Sequence, residues 1–307
     1  MSKKILIIQL RPGIGDLCMF LPRCHEIANK NKDYELTILT KERSRAKYIL
    51  QHDPLIKNVK YLDMNGKKKD IIDLFKFFKN NKFQKVYSYQ YGPRYLKYIF
   101  LSKITGVKEI FYYGVFKKKE GMVKRSILAN EKWLNIEIKD FIGKIYLQKK
   151  KRLPKKKIII GIGASGDNKR WPTKKYIELI NNLSKYRDYQ FLLAGGSGEK
   201  FIIKELINSL PKIKFQSLEK LNLMECMEEI QGALFFVGND TGFMHVSSCL
   251  DIKTFCLYGD TPSIDSEYNK NIIPILPPGK KTVYHDDLAM NEINVDLVLQ
   301  SISKFNF

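Results

Sequence analysis

The 307 residues are 44% hydrophobic and 12% aromatic, enough to build cores, which excludes a wholly disordered chain. No apolar run approaches the roughly 18–20 residues that crossing a bilayer demands. The formal charge of +22 is lopsided, because residues 1–150 hold 33 Lys and Arg against 14 Asp and Glu, net +19, while residues 151–307 hold 21 against 18, net +3.

The chain opens on a β-branched run, Lys4–Leu10, followed by the loop Arg11-Pro-Gly-Ile-Gly-Asp16 and then helical spacing from Leu17 to Ala28. Strand, glycine loop and helix are the start of a Rossmann-type unit. Strand-like runs at 35–40, 59–62, 86–89 and 110–113 alternate with helical patterns at 42–51, 70–79, 95–103 and 122–134. The basic stretch Gln148–Lys157 around Pro154 breaks the rhythm and reads as a linker. After it the pattern restarts, with strands expected at 158–162, 190–194, 234–237 and 254–257, and helices at 174–186, 198–209, 223–231 and 241–250. The expected fold class is therefore α/β, two Rossmann-like domains facing across a cleft, divided as 1–150 and 151–307. Chemistry is expected on the loops that follow the strands, where ligands of parallel sheets bind.

The five cysteines, Cys18, Cys24, Cys226, Cys249 and Cys256, form no C-x-x-C pair and are odd in number. This points to reduced thiols in a cytoplasmic protein. The start Met-Ser-Lys-Lys lacks the apolar core of a signal peptide.

Three loops carry candidate chemistry. In the first, Gly13 and Gly15 let the backbone turn sharply, and Asp16 stands at a helix start, where it either caps the helix or faces a ligand. No third glycine completes the G-x-G-x-x-G dinucleotide fingerprint. The second, Gly161 to Pro172, joins small residues and Ser165 to two adjacent cations, Lys169 and Arg170, a combination suited to a phosphate. In the third, Gly238-Asn-Asp-Thr-Gly242 runs from a strand into a helix whose first amides favour an anion. Thr241 adds a hydroxyl there, and His245 lies one turn on.

These motifs in this order, R-x-G-x-G-D, K-x-W-P, G-N-D-T-G-x-x-H and the later Tyr258-Gly-Asp-Thr-Pro262, resemble the ADP-heptose:lipopolysaccharide heptosyltransferases, glycosyltransferase family nine. The resemblance implies a GT-B fold and an inverting, metal-independent transfer of a sugar from a nucleotide diphosphate sugar, ADP-linked, to a surface glycan. It casts Asp16 as general base and Lys169 as a contact to the donor phosphates. Ser165, Glu225, Asp240, Thr241, Gly242 and His245 would line the donor site. Arg11, Gly13, Gly15 and Arg94 are placed on the acceptor side. Phe243 stands where the family commonly has proline, and Asp260 departs from its usual aromatic-Gly-Pro-Thr.

No D-x-D occurs to hold a metal at a diphosphate, and His285-Asp286-Asp287 reads as a solvated turn, so neither metal nor cofactor is expected. A nicotinamide-dependent oxidoreductase fits two Rossmann-like halves but lacks the fingerprint. A polyanion-binding protein fits the charge, yet no nucleic-acid module is recognisable. The basic N-terminal half, including Arg43, Arg45, Lys67–Lys69, Lys97, Lys117–Lys119, Lys124 and Arg125 with Tyr91, Tyr95, Tyr98 and Phe116 among them, is assigned instead to an anionic glycolipid acceptor. Peripheral contact with the inner face of the membrane is expected with it.

Overall fold

The structure, a computed structural model, describes residues 3–62, 68–114, 121–148 and 156–305. Most of the expected linker, together with Lys67, Phe116 and Lys117–Lys119, lies outside the described residues, as do the side chains of Lys68, Lys69 and Arg94. Chain contacts separate two units, 1–146 and 147–307.

The first unit runs β1 (Lys3–Ile8), α1 (Ile14–Lys30), β2 (Tyr34–Thr40), α2 (Ala46–Ile49), β3 (Asn58–Tyr61), α3 (Lys68–Asn81), β4 (Lys85–Ser88), α4 (Leu96–Ile104), β5 (Glu109–Tyr112) and α5 (Met122–Leu134). Its five strands are all parallel in the order β3-β2-β1-β4-β5. Alternate residues of the central strands point to opposite faces. Leu6, Ile8, Leu10 and Val86 pack against Leu74 and Phe78 of α3 and Tyr98 and Leu101 of α4. Helices α1 and α5 pack together.

The second unit runs β6 (Lys157–Gly161), α6 (Thr173–Ser184), β7 (Gln190–Ala194), α7 (Lys200–Ser209), β8 (Lys214–Ser217), α8 (Leu223–Ile230), β9 (Phe235–Asn239), α9 (Gly242–Cys249), β10 (Lys253–Leu257), β11 (Ile272–Ile275) and α10 (Val295–Ser303). Its parallel sheet has the order β11-β10-β9-β6-β7-β8. In both sheets the winding direction reverses beside the first strand of the unit, between β1 and β4 and between β6 and β9. Such a reversal opens a crevice at the strands' C-terminal ends.

Several expectations need correction. The helix read over 42–51 is a 3-10 turn, Glu42–Ser44, and a single α-turn, separated by Arg45 at φ 55°. Ser44 causes the break, since its hydroxyl donates to Lys41 O and accepts from Ala46 N–H, competing with the helical ladder. The helix read from 198 begins at Lys200, after a 3-10 turn over Ser197–Glu199. Strands β8 and β11 escaped the sequence reading; both are four-residue edge strands, and β11 carries Pro274, which an edge tolerates.

The contact boundary falls a few residues before 150 because the segment after α5 folds back on α1. Arg23, fully buried, donates to Asp140 O at 3.1 Å, and the His25 and Tyr146 rings meet edge to face at 6.0 Å.

All five cysteines are buried thiols outside any disulfide. Burial pushes the Cys226 thiol up to about 11 and raises those of Cys24 and Cys256 as well. Since thiolate is the reactive form, iodoacetamide at mildly alkaline pH should modify none of the five in the folded protein and all five after urea unfolding, read by intact mass. Rapid labelling of any native thiol would contradict this packing.

Candidate active site

At the reversal point of the second sheet, β6 and β9 are pressed together where Gly161 pairs with Gly238. A Cβ on Gly238 would lie 2.2 Å from Gly161 O, and one on Gly161 would lie 2.0 Å from the Phe236 ring. Only glycine fits at either position, and the contact brings the two following loops side by side. A Cβ on Gly163 would stand 3.7 Å from the Thr241 methyl and 3.8 Å from the Gly195 Cα, so the loops after β6, β7 and β9 converge.

Asn239 holds that convergence in place. Its Nδ2 donates to the carbonyls of Ile162 (3.3 Å) and Gly163 (3.0 Å), and its Oδ1 accepts from Trp171 N–H (3.1 Å). The Tyr176 hydroxyl lies 3.0 Å from that same oxygen and 2.8 Å from Gly161 O, sharing its single proton between them. Trp171 in turn donates from Nε1 to Ile293 O at 2.9 Å, which pins the Lys-Arg-Trp-Pro turn to the C-terminal segment. The motif reading passed over Asn239. Its signal was a polar residue at the end of a strand that is otherwise wholly apolar and buried.

On this frame the predicted donor residues take distinct positions. Thr241 is the N-cap of α9, accepting from Met244 N–H at 3.4 Å, so its own hydroxyl proton stays free to donate. Gly242 is the first helical residue. His245, buried one turn along, places Nε2 3.5 Å from Asp240 Oδ1. Ser165 is exposed in the loop after β6.

The two adjacent cations separate clearly. Arg170 is bound to Asp167 and to Glu199 (3.1 Å), whereas Lys169, half-buried, has no carboxylate partner among the described residues. Glu225 lies apart from this cluster in role. It is the N3 residue of a capping box on α8, accepting from Asn222 N–H at 2.8 Å while Asn222 accepts from Glu225 N–H at 3.1 Å.

At the reversal point of the first sheet, Asp16 sits at N3 of α1, where Oδ2 accepts from Gly13 N–H (3.0 Å) and Oδ1 from Arg11 Nε (2.5 Å). A Cβ on Gly13 would come 2.8 Å from Asp16 Oδ2, so a larger residue there would have to shift the carboxylate. Gly15 lies in the same first turn. Helix α1 is held by a buried polar set: Arg23 pairs with Glu26, Asn130 donates to Arg23 O (3.0 Å) and Glu26 Oε2 (2.9 Å), and the Tyr89 hydroxyl donates to Asn130 Oδ1. Burial raises the Glu26 carboxyl above the ordinary range.

Arg125, in the first turns of α5, is 8% exposed, with its guanidinium between the rings of Tyr91 (4.7 Å) and Tyr113 (5.1 Å). No carboxylate among the described residues pairs with it, and its Nε has no hydrogen-bond partner. The loops after β4 and β5 supply the two tyrosines, so this cation belongs to the same sheet edge as Asp16.

Among the described residues no group of three or more His, Cys, Asp and Glu side chains could hold a metal ion. Asp287, in the candidate triplet, is taken up by Tyr284 N–H (3.3 Å) and Lys280 (3.1 Å).

The architecture has well-defined counterparts. The E. coli heptosyltransferase WaaC with ADP superposes with a TM-score of 0.74 at 17% identity, over 98% of this chain and 99% of that one. The E. coli ADP-heptose lps heptosyltransferase II gives 0.75 at 18% identity over 98% of each. Two Rossmann-type units with this likeness define the GT-B class of fold.

Residues 117–277, just over half of the sequence, match glycosyltransferase family 9 (heptosyltransferase), and the chain belongs to that family. The lipooligosaccharide heptosyltransferase 2 of Campylobacter jejuni is 25% identical over 276 residues, 83% of this chain and 81% of that protein. The lipopolysaccharide heptosyltransferase 1 of Campylobacter coli is 28% identical over 131 residues, 41% of this chain and only 38% of that protein.

If Asn239 organises the second unit, Asn239→Ala strands buried donors and acceptors from three segments. It should cost about 3 kcal/mol of stability, read as a lower urea midpoint. A midpoint equal to that of the unsubstituted protein would refute the assignment.

Proposed function

We propose that this protein transfers a heptose or a related sugar from a nucleoside diphosphate sugar, ADP-linked, to a lipooligosaccharide or other surface glycan. The observation that carries the reading is that the loops after β6, β7 and β9 converge at one sheet reversal beside a helix start capped by Thr241, with Lys169, half-buried and without a carboxylate partner among the described residues, on the first of those loops. Such a group of donors suits an anion such as a diphosphate. Family membership and the relatives' names support the choice of sugar and acceptor.

The reaction is a direct displacement. An acceptor hydroxyl oxygen forms a bond to the anomeric carbon, the bond from that carbon to the β-phosphate oxygen breaks, and its electron pair leaves with ADP. The hydroxyl proton passes to Asp16, whose carboxylate is held in one orientation by Gly13 N–H and Arg11. The leaving diphosphate gains charge, so Lys169, the Thr241 hydroxyl and the first amides of α9 bind it more tightly as the bond breaks. Asp240 and His245 position that helix start, Ser165 and the Gly163 backbone border it, and Glu225, with one oxygen outside its cap, is the contact assigned to the ribose. No metal is required by this scheme.

The acceptor falls to the first unit. Arg125, buried over two tyrosine rings and with no carboxylate partner among the described residues, offers its edge to a carboxylate or phosphate of the glycan. Arg11, Gly15 and Arg94 line the same sheet edge by position. The basic surface of this unit fits an acceptor embedded in an anionic leaflet, and no helix of the described residues is long and apolar enough to cross it. The site of action is accordingly the cytoplasmic face of the inner membrane.

Asp16→Asn should lower kcat by about 100-fold or more with ADP affinity intact, and Lys169→Ala should lower kcat by a similar factor. EDTA should leave the wild-type rate unchanged. Thermal shifts with ADP, UDP, GDP, CDP and NAD test the donor, ADP giving the largest; NAD giving it would favour an oxidoreductase. Arg125→Lys should raise the KM for acceptor about tenfold while the donor KM stays put; equal shifts in both, or none, would remove Arg125 from the acceptor site.

A further inference from the structure

Helix α4 buries Tyr98, Ile99, Leu101 and Ser102 against the sheet, yet its outward side is apolar as well. Leu96 is 41% exposed, Phe100 63% and Ile104 51%. Their i, i+4, i+8 spacing lines them up as one stripe along the helix. By helical geometry Lys103 and Lys97, both exposed, edge the stripe on its two sides, and the helix contains no acidic residue. Neighbouring α3, packed against α4 on the same face of the sheet, exposes Ile71 and Ile72 at 51% and 52%. A surface helix of a soluble protein ordinarily turns charge outward. Isolated exposed apolar residues need no explanation, but a stripe of three with two more on the adjoining helix marks a surface made to be covered.

The geometry points to α4 as a membrane-docking helix, with Leu96, Phe100 and Ile104 inserted at the acyl boundary of an anionic bilayer and Lys97 and Lys103 reaching the phosphates on either side. Nine residues span only about 14 Å, too short to cross, so the helix lies in the plane of the surface. Charge decides between a bilayer and a second copy of the chain. A twofold contact through this stripe would set the same lysines against each other on a half of the molecule that already carries +19, whereas an anionic bilayer answers both the apolar stripe and its basic borders. The loop from β4 leads directly into Leu96, so the docked helix begins at the sheet edge assigned to the acceptor. The inference rests on the transfer to a lipid-linked glycan for its purpose, and the stripe itself for its evidence.

The full chain, its Phe100→Ser/Ile104→Ser variant and a Lys97→Gln/Lys103→Gln variant would be sedimented with phosphatidylglycerol-containing vesicles and with phosphatidylcholine vesicles at low and high salt, with circular dichroism as the check on folding. The wild type should bind the anionic vesicles and be released by salt. The apolar variant should bind about tenfold less at every salt concentration, and the lysine variant should lose most of the salt-dependent part. On a delipidated oligosaccharide acceptor the apolar variant should turn over like wild type, while on vesicle-embedded acceptor it should lag. Vesicle binding is read without turnover, so a chain that binds as expected but transfers no sugar would sink the proposed function and leave the docking helix standing. Unchanged vesicle binding by the folded apolar variant would overturn the docking helix, as would a wild-type dimer that the variant splits into monomers.

Discussion

The second unit of this molecule depends on one buried amide. Asn239 ends a strand whose other residues are all packed away, and its side chain bonds to the loop after β6, to the backbone of Trp171 and to Tyr176. A buried amide is costly unless every polar atom finds a partner, and here each does. The result is that three segments distant in sequence have one relative arrangement. Thr241, Lys169 and the Gly163 backbone inherit their positions from it, because the Gly161 and Gly238 pair brings their loops close and Asn239 stops them from sliding.

The first unit solves the same problem differently. There a set of buried polar groups, Arg23, Glu26, Asn130 and Tyr89, fixes α1 to α5 and to the loop after β4. Both helices begin at the C-terminal edge of the sheet, one with Asp16 and the other with Arg125. A network that locks their bodies therefore sets the distance between the oriented Asp16 carboxylate and the buried Arg125 guanidinium.

Reading the sequence was most productive where backbone demands restrict the residue type. Glycines after strands, Thr241 at a helix start and Asp16 three residues beyond Gly13 announce themselves because few other residues serve there. Groups whose role depends on distant partners were harder to see. Lys169 and Arg170 look alike as neighbours, and only the carboxylate of Glu199, 29 residues on, shows that Arg170 is committed to structure. The Arg125 cradle is assembled from two loops whose tyrosines are 22 positions apart, and Asn239 reads as one more turn residue until its partners are in place. Short edge strands failed for another reason: four residues give too few alternations to register as a pattern. The outward stripe of α4 was hidden by its own composition, since a helix apolar on both sides looks like an ordinary core helix.

The winding of the two sheets also governs how the chain is made. The central strand β1 gains its second neighbour only when β4, some 80 residues later, has emerged, and β6 waits a similar stretch for β9. Parallel pairing of this kind closes large loops and is slow to nucleate. Yet no strand of the first sheet needs a partner from the second, and the segment that seals α1 ends at Tyr146. On the ribosome the basic half can thus complete its core while the second half is still being synthesised. The early exposure of its unpaired strands is confined to the time needed to translate half a chain.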